Sequence, residues 1–353
     1  MMFSDAFRYQ DGAAPNSAAL GTVLIGYPLG IALLLQGGWA WKAIGFLLLT
    51  LALVWSAYFI HEFAHQSIFK RAAVNTRWGV MMSWINGSCY ARFGDLRRKH
   101  MRHHVERADV VTFDVQAFLL ARPAWMRNAI LALEWAYVPA VELLMHAVVM
   151  AMPFTAQGRA HEAKRAAAAG RRGHPRLRVA AIFAVRAAAF GLLGWLSPSA
   201  LVLYALAYLV FITVLRFADC FQHTYDAYPI LDDAPIPQDK LRDKAYEQGN
   251  TYSNIVGLDH PVLNMLWLNF GYHNAHHDRP AMPWHQLPAY HRKLYGERHD
   301  GQVIPVRQLL KSFHVHRVRR VLASDYGAVL PDTERGRADG FLGAVGVSFL
   351  TAI

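Results

Sequence analysis

Histidine is the residue whose placement in this chain could do chemistry. There are 18, and three groups stand out: His61-Glu-Phe-Ala-His65, His100-Met-Arg-His103-His104 and His273-Asn-Ala-His276-His277. Residues three and four apart on a helix share a face, so each group can turn two or three imidazoles toward one point. Eight histidines spaced this way are too many for one tetrahedral metal and suit a pair. A fourth stretch, Asp219-Cys-Phe-Gln-His223, repeats the i, i+4 spacing. If the helix there continues, Asp219 and His223 face the same way. That makes His223 a ninth candidate ligand and Asp219 a direct or water-mediated one. Imidazole accepts iron, copper, zinc or nickel, and spacing does not choose among them. The scattered histidines, His146, His161, His174, His285, His291, His299, His314 and His316, read as packed or surface residues.

The elements that must position these groups are apolar. Hydrophobic runs cover Leu20–Leu35, Ile44–Ile60, Ala129–Phe154, Val179–Leu196 and Ala200–Phe217, and roughly 17–25 apolar residues cross a bilayer core as a helix. Four of the runs form two hairpins, one turning through the Trp- and Gly-rich Gln36–Lys42, the other at Ser197-Pro198-Ser199. The run Ala129–Phe154 holds Glu134, Pro139, Glu142 and His146. A single crossing by it would put the basic stretches Arg92–Arg107 and Gln157–Arg178 on opposite sides, against the rule that basic loops stay cytoplasmic. It is therefore expected to dip in and return, or to lie along the interface. Arg186, inside the fourth run, should face other helices or a cavity. The expected fold is all-α and integral to the membrane: four transmembrane helices in two hairpins, with both termini and a helical cap in the cytoplasm. The cap would comprise Glu62–Asn128 and Cys220–Ile353 and carry the histidines. The expected layout is a cytoplasmic segment 1–18, a catalytic domain 19–300 and a tail 301–353.

Composition narrows the class. Hydrophobic residues make up 54% and charged residues 17% of the 353, against about 25% charged in a typical soluble domain, which points to lipid as part of the solvent. The net charge of +11 sits in loops beside apolar runs, so it reads as attraction to anionic headgroups or to an acidic protein partner rather than to nucleic acid. Two cysteines, Cys89 and Cys220, cannot build a disulfide framework, a zinc ribbon or an iron–sulfur ligand set.

The three groups, in this order and spacing, resemble the histidine boxes of the membrane fatty acid desaturase superfamily. The stretch Trp267-Leu-Asn-Phe-Gly-Tyr-His-Asn-Ala-His-His, followed by Pro283-Trp-His-Gln-Leu-Pro, is similar to that family's third-box region, and the resemblance runs over about residues 44–300. It implies a four-span helical fold with a cytosolic di-iron cap, and an extra histidine after the last span, a place that His223 fits. Some relatives carry an amide-bearing residue one turn earlier, contacting iron through water; Asp219 stands there here. The resemblance further implies O2 as co-substrate, a fatty-acyl substrate carried by lipid, CoA or a carrier protein, and removal of two hydrogens to form a double bond. Hydroxylases and acetylenases share the boxes. No haem motif of the cytochrome b5 kind and no cysteine-rich ferredoxin is visible, so electrons come from an external donor of one of those kinds.

Two rival readings follow from the same residues. His61-Glu62-Phe63-Ala64-His65 also matches HExxH, in which two histidines hold zinc and the glutamate is general base; Asp259 could supply a third ligand. That reading leaves both HxxHH groups unexplained. A metal transporter would need its ligands inside the spans rather than at their ends. Asn269 and Asn274 are candidates to orient ligand imidazoles, and Asp259-His260-Pro261 to support the site.

Overall fold

The computed structural model describes residues 3–111, 114–156, 158–160, 163, 175–225, 227–229, 238, 241–256, 261–296, 303–323 and 342–345. Its elements in chain order are α1 (Ala13–Leu34), α2 (Trp39–Ala64), α3 (Ala72–Asn86), α4 (Phe93–Glu106), β1 (Asp109–Val111), α5 (Val115–Leu120), α6 (Ala124–Trp135), α7 (Ala140–Ala151), α8 (Pro175–Leu196), α9 (Pro198–Asp219), β2 (Ala227–Pro229), α10 (Lys244–Gly249), α11 (His273–Asp278), α12 (Leu287–Tyr295) and α13 (Val306–His316). The fold is helical apart from β1 and β2, which pair in parallel with Asp109 opposite Ala227. Among the described residues this short pair leaves the all-α expectation standing.

Four helices, α1, α2, α8 and α9, are long and apolar enough to cross a membrane. In lipid a backbone must satisfy its own hydrogen bonds, and continuous helices do so. The two hairpins turn tightly. Ser197 caps α9 by accepting from the Ala200 amide at 3.2 Å, with Pro198 at the first helical position, where a missing N–H costs nothing. Helices α1 and α2 meet at two glycines: a Cβ on Gly45 would lie 2.8 Å from the Gly30 carbonyl oxygen, so the backbones touch where only small residues fit. Trp39, Trp41 and Trp195 are exposed near the two hairpin turns, as expected of an interfacial belt.

The run Ala129–Phe154 is split, as its composition suggests. Helix α6 ends at Trp135, Tyr137 adopts φ 65°, and Pro139 precedes α7. The carboxylates inside this run have partners. Glu134 accepts from the Val141 amide at 3.0 Å and pairs with Arg216 of α9. Glu142 stands 3.5 Å from both Arg216 and Arg320. Arg320 in turn donates to Ala344 O at 2.9 Å. This buried quartet, two arginines against two glutamates, ties the broken helix pair to the last long helix and to the C-terminal region.

The turn from α3 to α4 does not stand clear of the long helices. Arg186, halfway along α8, donates to Trp84 O at 3.0 Å. The next arginine on that helix face, Arg178, donates to Tyr90 O at 2.8 Å, Cys89 O at 2.6 Å and Ala91 O at 3.1 Å. Gly87, at φ 87°, ends α3 beside the Arg186 guanidinium and the Tyr208 hydroxyl. The α3–α4 turn thus packs along the first half of α8, from Arg178 to Arg186, and Arg186 neutralises the carbonyl end of α3 there. Most of the basic segment 157–178 and most of 340–353 lie outside the described residues.

Removing one partner from a buried ion cluster strands the rest and typically costs about 3–5 kcal/mol. Arg216→Met should therefore lower the thermal unfolding temperature in detergent by many degrees, and Arg216→Met with Glu134→Gln and Glu142→Gln should recover part of the loss. An unchanged melt for the single variant would show that the quartet contributes nothing to stability.

Candidate metal centre

Nine histidines converge in two buried sets. His61, His65, His100, His104 and His276 form one; His103, His223, His273 and His277 form the other. Within each set one ligand atom per residue lies within 4.8 Å of every other. Helix α2 delivers His61 in its last turn, and His65 caps its end. Helix α4 carries His100, His103 and His104, and α11 carries His273, His276 and His277.

The expectation that each sequence group points to one place is corrected here. On α4 the i, i+4 pair His100 and His104 joins the first set while His103 turns to the second. On α11 the pair His273 and His277 joins the second set while His276 turns to the first. Each HxxHH group thus serves both sets, because successive helical residues diverge by about 100° while residues four apart align. The sets adjoin: His104 and His277 rings are 4.3 Å apart.

The inner geometry suits metal. Nε2 of His61 lies 3.1 Å from that of His276, His276 3.1 Å from His104, His104 3.1 Å from His100, and His100 2.7 Å from His65. In the second set His103 and His273 approach His223 at 3.1 and 2.8 Å. Metal–imidazole bonds of roughly 2.1 Å set at right angles place neighbouring nitrogens about 3 Å apart. Nε2 of His277 is buried with no hydrogen-bond partner among the described residues, an orphan that a cation would satisfy. Burial pushes the His103 imidazole down to about 4 and His276 to about 3, and holds His100, His104, His223, His273 and His277 well below the ordinary range. All seven are then neutral at pH 7, the form that ligates metal.

Outer contacts fix the rings. His103 Nδ1 donates to Ala108 O at 3.0 Å and faces Asp109 at 3.5 Å. His277 Nδ1 donates to Glu247 at 2.9 Å. With Nδ1 donating outward, Nε2 keeps its lone pair for the centre. Glu247 also takes Arg107 Nε at 3.1 Å, linking the end of α4 to α11. Sequence reasoning missed Glu247: it lies in a short helix, Lys244–Gly249, with no motif around it, and only the fold brings it to His277.

Other expectations are placed as follows. Helix α9 stops at Asp219, so Asp219 and His223 do not share a helical face; His223 lies past the end, bridged to Thr251. Asp219 is buried but stands outside both imidazole sets. Together with Asp109 it acts on buried Lys99, whose ammonium burial pushes down to about 8. Asn274 bonds Ser253 and Thr251 O rather than an imidazole, and Asn269 donates to Trp284 O; both brace backbone. Asp259 and His260 lie outside the described residues. Glu62, the would-be general base of HExxH, accepts from Ser67 Oγ at 2.6 Å and the Trp284 amide at 3.1 Å. Its neighbouring histidines sit among three further imidazoles, a donor set unlike that of a zinc protease. Gly271, just before the third group, could not be alanine without a clash: its Cβ would meet Asn254 O at 2.4 Å.

No curated protein and no solved structure matches the chain. The model of the fatty acid desaturase family matches residues 37–308, a span that holds all nine converging histidines. The chain belongs to the fatty acid desaturase family.

Proposed function

We propose that this chain is a membrane oxidoreductase that uses O2 to introduce a double bond into a fatty-acyl chain at a histidine-ligated di-iron centre. The observation that carries the reading is the pair of adjoining all-imidazole sets at the ends of apolar helices. His61, His65, His100, His104 and His276 would hold one iron, and His103, His223, His273 and His277 the other. Asp219 is kept as an outer carboxylate acting through water and Lys99. When bound, such a pair supplies the electrons that reduce O2 and a centre able to take hydrogen from a methylene.

The chain's own residues bind, shield and orient. Burial excludes water from the imidazoles, and Glu247 and Ala108 O hold His277 and His103 in their ligating tautomers. A groove of about 460 Å³ runs between α3, the start of α4 and α8, lined by Val80, Trp84, Phe93, Ile182 and Val185 with Arg92 and Arg178. Its apolar walls suit an acyl chain. Phe93 lies seven residues before His100, about 10 Å along the helix, so a chain seated there approaches the centre. The orientation follows from charge: basic loops place both termini and the centre on the cytoplasmic side. The proposed layout is one catalytic domain, 19–300, flanked by segments 1–18 and 301–353. Electrons come from an external acidic donor such as a ferredoxin or cytochrome b5, docking on the basic face of the cap.

Expression in a host of known lipid composition, with mass spectrometry of its acyl chains, tests the reaction; unchanged lipids from iron-loaded protein would defeat it. Purified chain should hold two irons. His276→Ala should lose iron and all turnover while still inserting in the membrane. Glu247→Ala should weaken metal binding about 10- to 100-fold, with Glu247→Gln milder, as read by chelator titration. The histidines also set a pH dependence. Unfolded imidazoles take protons near 6.5, whereas folded His103 and His276 resist to about 4 and 3. The unfolded state thus binds more protons between those values, and the metal-free protein loses stability as pH falls from about 6.5 toward 4. Metal-loaded protein should lose less over that window, measured by thermal melts at stepped pH.

A further inference from the structure

The segment before α1, with the first turn of α1, precedes the matched family region, yet it is folded onto both flanks of the metal centre. On one side it pairs with the stretch just after His65. Arg8 N donates to Ile68 O at 2.8 Å, Lys70 N to Ala6 O at 3.1 Å, and Arg8 Nη1 to Gln66 O at 3.0 Å. Phe7, itself buried, stacks on Phe69 at 5.2 Å. On the other side it meets the stretch just after the third histidine group. The Trp284 indole N–H donates to Asn16 Oδ1 at 2.8 Å, and Gln286 donates to Asp11 at 2.9 Å. Asn16 and Trp284 are 1% and 3% exposed, so this bond is made away from water, where an unpaired partner is costly.

Trp284 leads directly to a candidate ligand. Its backbone N–H donates to Glu62 Oε2 at 3.1 Å, and the same oxygen takes Ser67 Oγ at 2.6 Å. The other oxygen is left 3.4 Å from His61 Nδ1. The Trp284 carbonyl is held from behind by Asn269 at 3.2 Å. A carboxylate at that distance from the outer nitrogen is an ion-pair approach rather than a hydrogen bond, and its charge favours the tautomer with the proton on that nitrogen, leaving the other lone pair for the centre. The order of contact is Asn16, Trp284, Glu62, His61.

We propose that the N-terminal segment Phe7–Asn16 is a working part of the metal centre, with Asn16, Trp284 and Glu62 as positioning residues that fix the His61 ring. The inference rests on the reading of these histidines as metal ligands. Its content goes further: residues outside the family region set how firmly the metal is held.

The test uses full-length, iron-loaded chain and measures iron release to a chelator alongside the melting temperature of the metal-free protein. Trp284→Phe keeps an aromatic ring and removes only the indole donor; Asn16→Leu removes the acceptor. Each should release iron about two- to tenfold faster, the range set by one hydrogen bond, and should also lower the metal-free melt modestly, because each leaves a buried partner unpaired. The double variant should be no faster than the quicker single, because both changes delete the same bond. Ile25→Ala, on the exposed face of α1, should release iron like the wild type. Equal release rates for Trp284→Phe and wild type, or additive effects in the double variant, would overturn the proposal. If Asn16→Leu does not fold, Trp284→Phe decides alone. Wild-type chain that takes up no iron would instead defeat the metal reading itself, a result distinct from equal rates.

Discussion

Crowding nine neutral imidazoles into one buried volume is the constraint on which the rest of the structure depends. Lone pairs aimed at a common point repel, and water cannot reach them. The arrangement holds only if the rings are held in place and a cation can sit between them. The outward nitrogens show how the locking is done. His103 is held by a carbonyl and His277 by a carboxylate; His61 faces a carboxylate that is itself held by two donors. Ala108 and Glu62 lie beside their histidines in the chain, but Glu247 lies 30 residues from His277 and the Trp284 amide that holds Glu62 lies 222 residues away, so the tertiary fold must form for these rings to be held.

The same economy governs the charges buried elsewhere. An isolated carboxylate in an apolar run is prohibitive, but Glu134 and Glu142 meet Arg216 and Arg320 in one neutral cluster. Arg186, a cation in the middle of a long apolar helix, faces the carbonyl end of α3. In each case the polar group marks where a non-spanning helix is docked against a spanning one. Two short helices, α6 and α7, and the α3–α4 turn are held at their places by charge rather than by length.

Much of this was legible in the residues. The period of the histidines on a helix and the apolar runs identified the ligand candidates and the four long helices, because both patterns are local. The basic stretches on either side of Ala129–Phe154 argued against a single crossing, and the run is broken into two helices of 12 residues each. What was not legible depends on contacts between distant stretches. Nothing near Glu247 marks it as the partner of His277. Where α9 stops decided that Asp219 and His223 part company, and a cap at Cys220, three residues beyond Phe217, reads no differently from a helix that continues. Nothing in the α3–α4 turn itself marks the two arginines of α8 that hold its carbonyls. The N-terminal residues, with their mixed composition, gave no hint that they brace the site.

The interleaving of the HxxHH groups has a consequence for how such a site can vary. A helix that gave all its imidazoles to one set could drift without disturbing the other. Here α4 gives two to the first set and one to the second, and α11 does the reverse. Any rotation of either helix that improves one set must worsen the other, since adjacent residues diverge by about 100°. The two sets therefore constrain each other's spacing through rigid helices. The separation of the two centres is fixed by backbone geometry, and side-chain changes near one set are felt at its neighbour.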